Sequence, residues 1–280
     1  MEMMNDRFRM TLAACAIATL LGGPAHAADA SPWVEDSYSG LRLIAGANPR
    51  GAESLRAGIE IKMQPAWHTY WRYPGDSGVP PRFSFSGSDN VAAVKVFYPA
   101  PQAFTDAAGT TIGYKGNVIL PLRVFPRQKD KPVTLRGKID YAVCEKLCVP
   151  VEAHVELTLD RAGGADNAAL TAAEARVPQP ASAAEAGLSA HRANDDRRKP
   201  LVFVDLVAPP GQPVEMFVEG PSAEWALPIP KPAQGAPAGH QHFGFELDGL
   251  PPGVDPKAPF ELTFTIVRGG SATEVKTHLD

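Results

Sequence analysis

The sequence has few cysteines, no excess of positive charge and, after its first residues, no long apolar run. Only three cysteines occur among its 280 residues. The formal net charge is -4, which argues against a nucleic-acid partner. No stretch after residue 27 reaches the roughly 18 apolar residues of a membrane-spanning helix. A nucleophile elbow, a phosphate loop and a dinucleotide fingerprint are also missing, which excludes the common motif-bearing hydrolases and nucleotide-dependent enzymes.

The first 27 residues are typical of a secretory signal peptide. A positively charged start and an apolar run are followed by Ala25-His26-Ala27, the small-x-small pattern of a cleavage site. The alternative is a lipoprotein box ending at Cys15. Only about four apolar residues separate Arg9 from that cysteine, whereas a signal core needs roughly 7 to 15. We therefore expect an exported mature protein that begins near Ala28, in an oxidising compartment where disulfides persist.

The remaining composition favours short strands and turns, because the sequence contains 28 Pro and 25 Gly. Apolar and polar residues alternate through the first half with the period of half-buried strands. The clearest pair of strands, 133–143 and 151–159, is joined by a short turn that carries two cysteines. The alternation lapses after residue 161 into an Ala-rich segment and a polar connector, and it resumes at Leu201.

These patterns predict an all-β protein with two domains after the signal peptide of residues 1–27. The first domain is expected over residues 28–161 and the second, a smaller β-sandwich-like domain, over 201–280. Residues 162–200 are expected to be a linker that carries one short helix. At roughly 250 mature residues, two domains of ordinary size fit better than one.

Cys144 and Cys148 are the two cysteines that remain once the leader is removed, with three residues between them. Their spacing allows dithiol–disulfide exchange, a structural clip or a soft-metal clamp. Loop entropy gives so short a ring roughly 2 kcal/mol at most, so a clip would stabilise the fold little. Most metal sites need more ligands than two thiolates, which ranks the clamp below the other two. The spacing alone leaves exchange and a structural clip equally open.

Aromatic residues are concentrated in a second motif, where Trp67, Tyr70, Trp71 and Tyr73 fall within seven residues ahead of a Gly/Pro-rich turn. Such a cluster can dock a partner or a sugar. Its alternative role is packing, because large aromatic side chains dominate protein cores. We favour the core interpretation and retain Trp67, Tyr70 and Trp71 as candidates for partner contact.

The two motifs together resemble a known family. Residues 67–81 read Trp-His-Thr-Tyr-Trp-Arg-Tyr-Pro-Gly-Asp-Ser-Gly-Val-Pro-Pro, and residues 141–150 read Tyr-Ala-Val-Cys-Glu-Lys-Leu-Cys-Val-Pro. They are similar to the periplasmic amino-terminal region of the DsbD/ScsB thiol:disulfide interchange proteins, and most of all to the ScsB-like branch, over about residues 30 to 280. The resemblance implies an immunoglobulin-like β-sandwich in which Cys144 and Cys148 are the redox pair.

The resemblance also implies partners and processes. The pair would take electrons from a membrane-embedded thiol transporter of the CcdA/DsbD type and pass them to periplasmic thioredoxin-like proteins. This is a protein-disulfide reductase activity that uses no cofactor and no metal, and the family connects it with copper tolerance and cytochrome c biogenesis. Full-length family members continue into transmembrane and thioredoxin-like domains, whereas this sequence ends at Asp280. The expected electron source is therefore a separate membrane protein.

A loop caps the cysteines in that family, and residues 104–111 occupy the matching place in this sequence. Phe104 and Asp106 are therefore the cap candidates. Two other classes of function remain open at this point. One is a non-catalytic immunoglobulin-like binding module whose disulfide is structural, and the other is a periplasmic copper-handling protein that uses the thiolates as soft ligands.

Overall fold

The computed structural model of the protein describes residues 29–49, 51–75, 78–106, 109–159, 164–193, 198–209, 211–236 and 238–280. The expected signal peptide, residues 1–27, lies outside these ranges. Strands dominate the regular structure that is described, which confirms the all-β class. No helix within these ranges is both long and apolar enough to cross a membrane.

The first half of the chain forms two facing sheets. Their strand orders are β1-β2-β3-β9-β6 and β11-β10-β4-β8-β7, and β5 pairs with β10. The Ser39 hydroxyl of one sheet lies 2.8 Å from the Tyr141 hydroxyl of the other, inside an apolar core. This is the expected immunoglobulin-like sandwich. The strands are β1 (Val34–Glu35), β2 (Ser39–Ala45), β3 (Leu55–Met63), β4 (His68–Gly75), β5 (Arg82–Ser84), β6 (Val91–Val96), β7 (Gln102–Asp106), β8 (Gly109–Lys115), β9 (Val118–Pro126), β10 (Val133–Cys144) and β11 (Cys148–Leu159).

The β10–β11 hairpin forms where the alternating pattern placed it. The two strands pair without a break from Val133↔Leu159 to Cys144↔Cys148. Because successive side chains point to opposite faces of a strand, Ile139 and Tyr141 are buried in the core, while Cys144 lies on the opposite, outer face of the sheet.

The second half also forms two sheets, ordered β12-β19-β18-β15 and β13-β14-β17-β16. They face each other across a second part of the core, where the rings of Phe245 and Phe264 lie 6.4 Å apart. The elements are α1 (Asn167–Ala175), β12 (Gln179–Ala181), α2 (Ala183–Ala186), β13 (Leu188–Arg192), β14 (Leu201–Val207), β15 (Val214–Glu219), β16 (Lys231–Pro232), β17 (His240–Glu246), β18 (Phe260–Arg268) and β19 (Ser271–Leu279).

The segment expected as a linker, residues 162–200, contains more than its one predicted helix. Its helix α1 docks on the first sandwich, where Leu170 is fully buried against Gly46 and Gly58. Strand β12 pairs in parallel with β19, and β13 pairs with β14. Neither strand was predicted, because β12 is three residues long and Leu188 is the one large apolar residue of β13. The division into two domains stays a prediction.

Candidate functional site

Cys144 and Cys148 form a disulfide at the turn end of the β10–β11 hairpin. The turn between them, residues 145–147, is exposed, and Leu147 has 77 % of its surface accessible. The two cysteines themselves differ in exposure. Cys144 is buried at 3 %, whereas Cys148 is exposed. Of the two cysteines, Cys148 is therefore the one that is open to solvent.

The hydroxyl of Tyr70 contacts both sulfurs. It lies 2.8 Å from Cys144 Sγ and 3.2 Å from Cys148 Sγ, and its side chain is 4 % exposed. Strand β4 puts it there, because His68 pairs with Cys144 in the sheet and Tyr70 follows on the same face. The Thr69 hydroxyl, which donates to the Ala142 carbonyl at 2.8 Å, fastens β4 to β10 next to the disulfide.

Gly78, which follows the aromatic motif, lies against the ring of Tyr70. A Cβ atom on Gly78 would lie 2.6 Å and 2.8 Å from two carbons of that ring, so only glycine allows this close approach. The next residues, Val79 and Pro80, form one wall of a groove beside Cys148. Val79 is 53 % exposed, so the groove has an apolar rim next to the reachable sulfur.

A row of stacked side chains extends from Tyr70 across the outer face of the sheet. The ring of His68, 8 % exposed, lies edge-on to Tyr70 at 5.7 Å and is tilted against Phe104 at 5.5 Å. The Lys115 ammonium lies 4.4 Å from the centre of the Phe104 ring. Phe104, the cap candidate, thus joins the site through His68.

The segment expected as a cap loop is a β-hairpin made of β7 and β8. Phe104 pairs with Thr111, and Asp106 pairs with Gly109 at the tip. The side chain of Asp106 and residues 107–108 lie outside the described part of the chain. Runs such as Phe-Thr and Thr-Thr have high strand propensity, so pairing across a short tip prevails over an open loop.

Of the three aromatic candidates, the structure brings only Tyr70 to the disulfide. Trp67 is stacked on Tyr38 at 4.0 Å, and Trp71 is fully buried against Phe217, with ring centres 5.9 Å apart. The role of Tyr70 was not foreseen, since it depends on the pairing of β4 with β10. In the described ranges no group of three or more His, Cys, Asp or Glu side chains is arranged to hold a metal ion.

These contacts suit thiol chemistry. A disulfide sulfur is a weak acceptor, whereas a thiolate is a charged one, and charge-assisted hydrogen bonds are about twice as strong as neutral ones. The Tyr70 hydroxyl therefore stabilises a thiolate at Cys144 more than it stabilises the disulfide. Stabilising the reduced form makes a disulfide a stronger oxidant.

Comparisons with known proteins agree with this chemistry. Residues 47–160 match the family model described as thiol:disulfide interchange protein DsbD, N-terminal. The crystal structure of the N-terminal periplasmic domain of ScsB from Proteus mirabilis is similar at a TM-score of 0.70 and 21% identity, over 90% of this chain and 98% of that chain. This likeness shows the fold.

A second solved structure, of the Enterococcus faecalis MSCRAMM ACE, which binds its ligands by the collagen Hug model, aligns over 87% of this chain and 94% of that one. It has 8% identity and a TM-score of 0.14, too low to bear on the fold. No curated protein sequence matches the chain.

Replacing Tyr70 by Phe tests the hydroxyl directly. We expect Tyr70→Phe to raise the pKa of the Cys144 thiol and to make the pair harder to reduce, because the thiolate loses its donor. The thiol pKa would be read from thiolate absorbance, and the equilibrium from incubation in glutathione buffers.

The matched control is Tyr141→Phe. Its hydroxyl is also buried, where burial raises the pKa of Tyr141 to about 12, and it bonds Ser39 instead of a sulfur. An equal shift in both variants, or no shift in Tyr70→Phe, would contradict the assignment.

Proposed function

We propose that this protein relays electrons through the Cys144–Cys148 pair in the periplasm, because residues 47–160 match the family model of DsbD amino-terminal domains. Thiol:disulfide interchange follows at the level of the family. The proposal adds the route, from a membrane-embedded thiol transporter to periplasmic thioredoxin-like proteins. One observation carries it above all: the disulfide lies at a hairpin tip between an exposed cysteine, Cys148, and a buried one, Cys144, and the Tyr70 hydroxyl contacts both sulfurs.

Reduction of the pair begins at the exposed sulfur. A donor thiolate attacks Cys148 Sγ, a new sulfur–sulfur bond forms between donor and Cys148, and the Cys144 sulfur leaves as a thiolate beside the Tyr70 hydroxyl. The second thiol of the donor, as its thiolate, then attacks the donor sulfur in the mixed disulfide. This step releases Cys148 as a thiolate and leaves the donor oxidised, so two electrons have moved.

Delivery of these electrons runs through the same sulfur. The Cys148 thiolate attacks the disulfide of a thioredoxin-like acceptor, which releases one acceptor thiolate and forms a second mixed disulfide. Cys144 then attacks Cys148 Sγ, restores the intramolecular disulfide and releases the acceptor as a dithiol after protonation by solvent. Cys148 is thus the exchanging sulfur and Cys144 the resolving one.

The geometry of the hairpin favours this role over a structural clip. β10 and β11 are already held together at twelve paired positions, so the bond at their end adds little to the fold. The ring it closes is short, and loop entropy limits its contribution to roughly 2 kcal/mol. A bond of such small structural value, placed at the surface, suits exchange.

The β7–β8 hairpin is proposed as a cap over the pair. Phe104 is half-buried and packs on His68, which packs on Tyr70, so its ring closes one side of the site. Movement of this hairpin on partner contact would open that side. The other side, along Val79 and Pro80, forms the groove beside Cys148.

The order of the sulfurs gives a trapping prediction. Cys144→Ser leaves the exposed Cys148 as a lone thiol. We expect its thiolate to attack a thioredoxin-fold protein that lacks its resolving cysteine and carries glutathione in a mixed disulfide on the remaining one, which releases glutathione as the leaving thiolate and forms a stable mixed disulfide between the two proteins. Cys148→Ser leaves only the buried Cys144 and should trap far less. Non-reducing electrophoresis measures both, with the double Ser variant as control. Equal trapping by the two single variants would contradict this order, and no trapping by Cys144→Ser would contradict exchange itself.

The cap gives a kinetic prediction. Phe104→Ala should raise the rate at which dithiothreitol reduces the pair several-fold, because access improves, while its equilibrium with glutathione stays the same. Phe97→Ala is the control, since Phe97 is also half-buried but its backbone bonds Pro121 in the other sheet. Timed quenching with an alkylating reagent gives the rates. Equal rates for wild type and Phe104→Ala would remove the cap assignment.

A further inference from the structure

Consecutive residues of strand β4 contact the disulfide on one side and the second half of the chain on the other. Tyr70 holds the disulfide, while the next residues contact the second half of the chain. Trp71 packs on Phe217 of β15, and the Tyr73 hydroxyl donates to the Leu227 carbonyl at 3.0 Å. The strand that positions the redox pair therefore also contacts the second half.

The backbone of β4 is irregular between the residues at the disulfide and the residues that contact the second half. Its pairing with β8 is regular from His68 to Tyr70 and then shifts register before Gly75. Its pairing with β10 covers only His68 and Thr69. The segment between Tyr70 and Gly75 is therefore irregularly paired with β8. Side-chain contacts with the second half meet this segment.

Arg72 makes the strongest of these contacts. Its Nε and Nη2 atoms donate to Glu219 at 2.9 Å and 2.7 Å, and Nη2 also donates to Glu274 at 2.5 Å. The guanidinium lies 4.6 Å from the centre of the Trp71 ring. Glu219 ends β15 and Glu274 belongs to β19, so the Arg72 side chain binds two strands of the same sheet.

Electrostatics stabilise the ion pairs of Arg72 with Glu219 and Glu274. Burial alone would lower the pKa of Arg72, but the hydrogen bonds and charges of Glu219 and Glu274 outweigh burial and raise that pKa above its ordinary value. The guanidinium is therefore charged under all physiological conditions. Bidentate pairs of this kind fix geometry as well as energy, because the planar fork accepts few orientations.

We propose that Arg72 is a positioning residue for the redox pair: it fastens the second half to β4 and so holds the Tyr70 hydroxyl against the two sulfurs. This inference rests on the proposed function, because positioning the pair matters only if the pair exchanges electrons. It assigns a task to the second half, which contains no cysteine. By holding β4, that half sets how well a thiolate at Cys144 is stabilised.

A double-mutant cycle on the full chain tests the proposal. Wild type, Arg72→Met, Tyr70→Phe and the double variant are equilibrated in glutathione buffers, and the reduced fraction is measured. We expect Arg72→Met to lower the equilibrium constant for reduction several-fold, up to about tenfold, which is about 30 mV for two electrons. If Arg72 acts through Tyr70, the double variant will match Tyr70→Phe alone.

Matched variants separate positioning from stability. Arg56→Met removes another bridging ion pair, between β3 and Glu174 of α1, at 2.6 Å. We expect it to lower stability in denaturant and to leave the glutathione equilibrium unchanged. Arg72→Lys keeps the charge without the fork and should fall between wild type and Arg72→Met. If Arg72→Met does not fold, Glu219→Gln combined with Glu274→Gln replaces it in the cycle.

Two results would overturn the proposal. One is an equilibrium constant within twofold of wild type in a folded Arg72→Met protein, or in its replacement variant, while Tyr70→Phe shifts it. The other is an additive effect in the double variant. Both can be read with glutathione alone, whereas the proposed function fails only if no thioredoxin-like protein exchanges with the wild type. The two failures are therefore distinguishable.

Discussion

The contact between the Tyr70 hydroxyl and both sulfurs is the interaction on which the site depends. The buried ring must be held in one position for its hydroxyl to stay at the disulfide, and three features hold it there. Pairing of β4 with β10 sets the position of the ring along the sheet, the Thr69 hydroxyl links the two strands, and Gly78 packs closely on the ring. The result is a donor aimed at the place where negative charge develops on reduction.

The two cysteines differ in burial. Cys148 lies at the surface beside an apolar groove, while Cys144 is enclosed by Tyr70 and the sheet. The proposed mechanism therefore assigns nucleophilic attack to Cys148 and charge stabilisation to Cys144. The core that positions this ring continues into the second half, because Trp71 is buried against Phe217. The contact of the two halves and the chemistry of the site share one strand.

Local patterns were enough to predict part of this structure. Alternation predicted the β10–β11 hairpin with both cysteines at its end, because strand periodicity and turn position are local properties. The contact of Tyr70 with Cys144 spans 74 positions and depends on which strands pair, which one sequence does not reveal. The β7–β8 hairpin and the short strands β12 and β13 were not predicted, for a different reason. Phe104 is the one large apolar residue of β7 and Leu188 the one of β12 and β13, so tertiary pairing rather than hydrophobic pattern determines these strands.

The reduction potential of the Cys144–Cys148 disulfide tests the central claim most directly. An exposed sulfur, a short ring and a hydroxyl that favours the thiolate all make reduction easier, whereas a bond kept for stability resists it. The measurement is an equilibrium titration of the full chain in glutathione and dithiothreitol buffers of known potential. The account predicts a value above about -300 mV, the region of exchanging disulfides. A value below about -300 mV would mark the bond as structural and contradict it.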